Sequence, residues 1–288
     1  METIYRTSKD TTQNYYLVLK PLVPVKGLLV ILPGFGTIPK EVLQETKLPE
    51  KAAKAGFVVV IPLLVDYFVV DTTNLFEKRL ATLIPEVVKK YAIPINAFII
   101  GGHSLGGHQA LRYAEKAYES KLGVLIRPKS VFGVDPPLNM KRLWNSFAYN
   151  VRINFSKVSV EESKFMLQRF QVLYGGSPSQ KPVVYESVSS YYPEAPDGGN
   201  ICYLKDIPVR LYCDPDINWV IANRRGSYEY MNASDLSGCI SQLKNLGNNK
   251  AEFINCLGKG YLPDGRRHPH AFSILDPDEF IEWAIQCL

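Results

Sequence analysis

The segment Gly102-His103-Ser104-Leu105-Gly106 follows the pattern G-x-S-x-G, with a further glycine at Gly107. Such a match carries little weight alone; its surroundings carry more. The apolar run Ala97-Phe98-Ile99-Ile100 precedes it, and residues 105–120 show helical periodicity behind it. Strand, sharp turn and helix are the context that a nucleophile elbow requires. The turn holds the serine at a strained backbone angle, so its flanking residues must be small. The hydroxyl then projects from the carboxyl end of the strand, above a helix N-terminus that favours negative charge. These features predict Ser104 as a nucleophile.

A serine hydroxyl needs a base to take its proton. The chain has four histidines. His103 and His108 sit in the elbow and its helix, poorly placed to turn back on the Ser104 Oγ. His268 and His270 remain, in Arg266-Arg267-His268-Pro269-His270-Ala271-Phe272. A carboxylate must in turn fix the tautomer of the base and steady its imidazolium. Metal and nucleotide motifs are missing: there is no HExxH, no Cys/His cluster, no P-loop and no GxGxxG. Gly34-Phe35-Gly36 lacks both a third glycine and the acidic residue that should follow it. No cofactor and no metal are expected.

The elements that must position these groups alternate between short apolar runs and helical patterns. Strands are expected near residues 3–7 and over 14–20, 27–32, 57–62, 97–102 and 130–134. Helices are expected over 40–55, 75–91 (with Pro85 interrupting) and 105–120. Fully apolar strands alternating with helices argue for an α/β protein with a mostly parallel sheet covered on both faces. About 70 residues then separate Asp135 from the next strand, 208–213. They hold two expected helices (138–151 and 160–174) and a Pro/Gly/Ser/Tyr-rich stretch over 175–200. A structureless loop of that length is unlikely in a compact domain, so the reading is an inserted helical cap, 138–206, on a core of 1–137 and 207–288. A helix near 233–246, a strand over 251–256 and a helix over 277–287 complete the pattern.

Composition narrows the function classes. The chain has 288 residues, 46 % hydrophobic and 21 % charged, enough for a large core without disulfide or metal staples. The 33 basic and 28 acidic residues leave a net charge of +5, scattered without a basic run, which argues against a nucleic-acid partner. Five cysteines without a CxxC pair read as buried thiols in a reducing compartment. The N-terminus has no apolar signal region, and the longest apolar run, 55–65, is too short to cross a bilayer. A cytoplasmic location and no membrane span are therefore expected.

With these residues in hand, the chain resembles the α/β-hydrolase fold family of serine esterases and lipases from about Asn14 to its C-terminus. The resemblance implies a mostly parallel central sheet flanked by helices, with the elbow after the fifth strand. It places one oxyanion-hole amide in the loop Pro33-Gly34-Phe35-Gly36, where many members have His-Gly, and so implies the backbone N–H groups of Phe35 and Leu105. Family sequences often carry a helix-opening proline seven positions after the catalytic histidine; Pro277 stands seven after His270, which favours His270 over His268. The acid is expected just past the strand after the cap, where Cys213-Asp214-Pro215-Asp216 looks like the family's G-D-x-D ending. That match implies Asp216, with Asp214 as a turn residue and Asp135 as the family's other location. His103, His268, Trp144 and Arg225 are the candidate substrate contacts. The cap aromatics read equally as a cap core, and Arg224, Arg225, Arg266 and Arg267 as solvated charge. The implied activity is a serine hydrolase cleaving an ester or related acyl bond of a small molecule through an acyl-enzyme. A binding protein on the same fold, or an acyltransferase or thioesterase with the same triad, is the alternative.

Overall fold

The computed structural model describes residues 1–7, 13–64, 72–120, 123 and 126–288. Val65, the last residue of the long apolar run, lies outside them. In chain order the elements are β1 (Glu2–Tyr5), β2 (Tyr15–Leu19), β3 (Gly27–Leu32), α1 (Pro39–Glu45), α2 (Leu48–Ala55), β4 (Phe57–Leu63), α3 (Leu75–Lys90), β5 (Phe98–His103), α4 (Leu105–Glu119) and β6 (Ser130–Val134). The chain continues through α5 (Met140–Ile153), α6 (Lys157–Tyr174), α7 (Pro182–Val188), β7 (Val209–Cys213), α8 (Ile217–Arg224), α9 (Asn232–Asn245), β8 (Ala251–Asn255) and α10 (Pro277–Gln286).

The strands form one sheet in the order β1-β2-β4-β3-β5-β6-β7-β8. The β1–β2 and β2–β4 pairs are antiparallel and the rest are parallel. Side chains alternate faces along each strand. On one face Leu28, Val30, Val58, Val60, Phe98 and Ile100 pack with α3, α4 and α9. On the other, Leu29, Ile31, Val59, Ile61 and Ile99 meet Val42, Leu48, Ala52, Phe280 and Trp283 from α1, α2 and α10. This two-sided burial is why β3, β4 and the start of β5 read as apolar runs.

Three local differences from the expected elements have clear causes. The helix expected over 40–55 is two, because Pro49 inside a continuous helix would clash with the carbonyl of residue 45. The chain instead extends at Thr46 (φ −150°, ψ 151°) and puts Pro49 in the first turn of α2. Pro85 is accommodated inside α3 without ending it. The helix α8 was absent from the expected elements, and its first cap is Asp216.

The segment over 138–206, expected to be an inserted cap, divides in two. Helices α5–α7 form a small cluster of their own, with Met140, Met166, Phe170, Tyr174 and Tyr185 packed beside Leu105 at the start of α4. The return segment, a 3-10 turn over Pro196–Leu204, buries Ile201 and Leu204 in the main core against α4 and α9. From α4, Arg112 donates to the Ser187 carbonyl at 2.9 Å and His108 Nε2 to the Val188 carbonyl at 3.1 Å, clasping the end of α7. Among the described residues no helix is long and apolar enough to cross a membrane.

Candidate active site

Strand β5 runs between β3 and β6, and its carboxyl end opens directly into the elbow. Ser104 holds φ 53° and ψ −124°, a strained conformation, with its amide on the Val134 carbonyl at 2.9 Å. The two motif glycines are required by close approach. A Cβ on Gly102 would lie 2.3 Å from the Leu32 carbonyl oxygen, and one on Gly106 2.2 Å from the same atom. The elbow is thus pressed against the end of β3, which brings the 33–36 loop over it. A Cβ on Gly34 would sit 3.5 Å from Ser104 Cβ. The next residue, Phe35, and Leu105, the first residue of α4, line the same cavity as Ser104. First-turn amides of a helix have no intrahelical acceptor and point their N–H groups outward.

The structure brings His270 to Ser104. His270 Nε2 lies 2.8 Å from Ser104 Oγ, and its Nδ1 lies 2.5 Å from Asp135 Oδ2. An ionised carboxylate only accepts, so Nδ1 carries the hydrogen and Nε2 presents a lone pair to the serine hydroxyl. Burial works to raise the Asp135 carboxyl, but the hydrogen bond and charge of His270 outweigh it and hold the group below its ordinary value. Its second oxygen accepts from the Cys213 thiol at 3.3 Å, and its carbonyl from Asn232 Nδ2 at 2.8 Å. Burial and the neighbouring carboxylate push the Cys213 thiol far up, so it stays a donor.

Asp216, the expected acid, does not face His270. One oxygen caps α8 by accepting from the Trp219 amide at 2.9 Å, and the other pairs with Arg267 at 2.9 Å. Asp214 is buried and takes the amides of Gly258 (3.1 Å) and Gly260 (2.9 Å) and the Arg267 guanidinium (2.7 Å). Strand order explains the correction. Asp135 directly follows β6, one strand from the serine, whereas Asp214 and Asp216 follow β7, two strands away. At about 4.8 Å per strand, the acid next door is the one within reach. Arg267 instead ties the loop carrying His270 to the end of β7.

The other expected contacts also move. His103 is buried away from the cavity, its Nε2 on the His270 carbonyl at 3.0 Å. Burial, then the neighbouring His270, push it down to about 3, so it is neutral and donates. Trp144 stacks on Phe170 (6.2 Å) and meets Tyr185 edge-on (6.0 Å), inside the cap cluster. Arg225 lies 4.5 Å over the Phe155 ring. None of these three lines the cavity. His268 does, beside Trp219 at 5.4 Å.

The cavity has a volume of about 440 Å³ and is lined by α5 and α6 on one side and by the carboxyl end of the sheet on the other; Leu143, Phe147, Met166 and Trp219 give it apolar walls. A second groove of about 660 Å³, between Tyr149, Tyr191 and Tyr230, holds none of Ser104, His270 and Asp135. Among the described residues no group of three or more His, Cys, Asp and Glu is arranged to hold a metal ion. Cys213, read from the sequence only as the first residue of the G-D-x-D-like match, and Asn232 and Trp219, which carry no motif, are the site residues that the structure adds. The sequence signal for Trp219 is the helix start that Asp216 caps.

Several solved structures share this architecture. A lipase/esterase from Lactobacillus plantarum superposes with a TM-score of 0.56 at 11 % identity, covering 99 % of this chain and 98 % of its own. Carboxyl esterase 2 from the fungus Tuber melanosporum gives 0.57 at 15 % identity, over 95 % and 81 %. MPT51 from Mycobacterium tuberculosis gives 0.58 at 11 % identity, over 95 % and 91 %. No protein-family model and no curated protein matches the sequence. The chain has the α/β-hydrolase fold.

Proposed function

We propose that the protein is a serine hydrolase that cleaves an ester or related acyl bond of a small molecule. The observation that carries this reading is the unbroken chain from Ser104 Oγ through His270 to Asp135 on the wall of the 440 Å³ cavity. The esterases among the similar structures support hydrolysis as the chemistry of the fold, although a fold does not choose a substrate.

In this mechanism Ser104 Oγ attacks the acyl carbon as its proton passes to His270 Nε2. Asp135 stabilises the imidazolium that forms. The Phe35 and Leu105 amides receive the negative oxygen of the tetrahedral intermediate. The bond to the leaving alcohol then breaks and His270 returns the proton to it, leaving an acyl-serine. Water attacks that ester, giving its proton to His270; the acid departs and Ser104 regains its hydrogen.

The test is labelling with a fluorophosphonate probe, the modified residue located by mass spectrometry, together with a panel of p-nitrophenyl esters of increasing chain length. Modification of Ser104 and turnover of at least one ester are expected. A folded protein that neither labels nor turns over any ester would be a binding protein on this fold.

A further inference from the structure

Four arginines stand at the end of α8 and in the 266–267 loop, and three are accounted for within the protein. Arg267 pairs with Asp214 and Asp216, Arg266 pairs with Asp264 at 2.7 Å, and Arg225 lies on Phe155. Arg224 is different. It is half-buried in the last turn of α8 and lines the cavity that holds Ser104. Among the described residues, no carboxylate lies within 4.0 Å of it. Its guanidinium sits 5.5 Å over the Trp219 ring and donates to His268 Nε2 at 3.4 Å.

The other charges of the cavity wall have partners or stand apart. Arg142 is held by Asp235 at 2.6 Å, Asp214 by Arg267 and Asp135 by His270. Glu162 is exposed on α6, beyond ion-pair distance of Arg224. His268 adds no charge at neutral pH: burial, then His270 and Arg224, push it down to about 4. A guanidinium carries five N–H donors in a rigid fork, and His268 takes one of them. A half-buried cation with no counter-ion among the described residues, seated on an aromatic face in the wall of a cavity with both polar and apolar lining, is suited to receive a carboxylate.

We propose that Arg224 anchors a carboxylate carried by the substrate, so that the preferred substrates are anionic esters rather than wholly apolar ones. This rests on the serine-hydrolase reading above. The carboxylate can belong to the acyl part, as in a half-ester of a dicarboxylic acid, or to the leaving group, and the test separates the two.

The experiment compares kcat/KM for matched pairs. Mono-p-nitrophenyl glutarate against p-nitrophenyl pentanoate tests the acyl side; 4-(pentanoyloxy)benzoate against phenyl pentanoate tests the leaving-group side. A preference of roughly 10- to 100-fold for the anionic ester is expected in one pair, the range of one charge-assisted contact. It should shrink in 0.5 M salt, fall to within about threefold in Arg224→Gln and be partly kept in Arg224→Lys. Arg266→Gln should retain it. A readout independent of turnover is calorimetric titration of Ser104→Ala protein with glutarate and with benzoate, repeated after Arg224→Gln. Ester turnover without anion preference or Arg224-dependent binding overturns the anion site and leaves the hydrolase. Arg224-dependent binding without any turnover does the reverse. Neither turnover nor Arg224-dependent binding overturns both.

Discussion

The imidazole of His103 holds the main-chain carbonyl of His270 at 3.0 Å, so the variable position of the elbow latches the loop that brings the base. The two rings lie 4.9 Å apart and His103 stacks on Phe272 at 5.4 Å. In the proposed mechanism His103 is therefore a positioning residue. His103→Ala should lower kcat by roughly tenfold or more while changing KM little, because misplacing a catalytic group costs rate rather than binding. His103→Gln, which keeps an N–H donor, should recover part of the loss. A His103→Ala protein with unchanged kcat would remove the latch from the mechanism.

Ser104→Ala should abolish fluorophosphonate labelling and lower kcat by something like 10³–10⁶, leaving oxyanion and binding contributions. The cost to the fold should be small, and circular dichroism checks it.

Asp135 and Asp216 separate catalysis from stability. Asp135→Asn should reduce kcat by about 10²–10⁴, through loss of tautomer control and imidazolium stabilisation. Asp216→Asn should leave kcat within a few-fold. Asp216→Ala removes the α8 cap and an Arg267 contact and should cost about 0.5–2 kcal/mol in urea unfolding. The opposite ranking of the two asparagine variants in kcat would return the acid role to Asp216.

Acid should unfold the protein partly through its buried neutral imidazoles. Burial, then Arg112, push His108 down to about 3 from an ordinary 6.5. Below pH 6.5 the unfolded chain binds a proton at this position that the folded chain refuses. The contribution of neutral His108 is therefore complete above pH 6.5 and is lost as pH falls towards 3, approaching about 1.4 kcal/mol per pH unit. Urea unfolding of wild type and His108→Gln at pH 7, 6, 5 and 4 cancels every group common to both. The variant should show the flatter decline; parallel curves would contradict the neutral, buried imidazole.

Much of the sheet is legible because its central strands are buried on both faces, so Gly27–Leu32 and residues 97–100 appear as apolar runs that end at or just before the residues of interest. The acid was not legible in that way. Asp135, Asp214 and Asp216 all follow strands, and nothing in their local sequence says which strand neighbours the serine. That depends on strand order, a non-local property. Asp216 also carries a local signal for another role: an Asp before Ile217 and Trp219 is a helix cap, and it opens α8. The proline-driven break between α1 and α2 was likewise written in Pro49, though overridden by the periodicity of the longer segment.

The return segment Pro196–Leu204 bears on how this protein can be rebuilt. Because Ile201 and Leu204 are core residues, the insertion is not a cassette with both seams at the surface. A chimera that swaps 138–206 for a foreign lid would excise part of the foundation under α4, the helix whose first turn abuts the serine. Crossover points that spare this segment lie after Leu138 and before Pro196; they give up the 2.8 Å bond from Asn200 Nδ2 to the Ser189 carbonyl unless the incoming segment presents a carbonyl there. Recombination within those seams exchanges the roof of the cavity and leaves the floor intact.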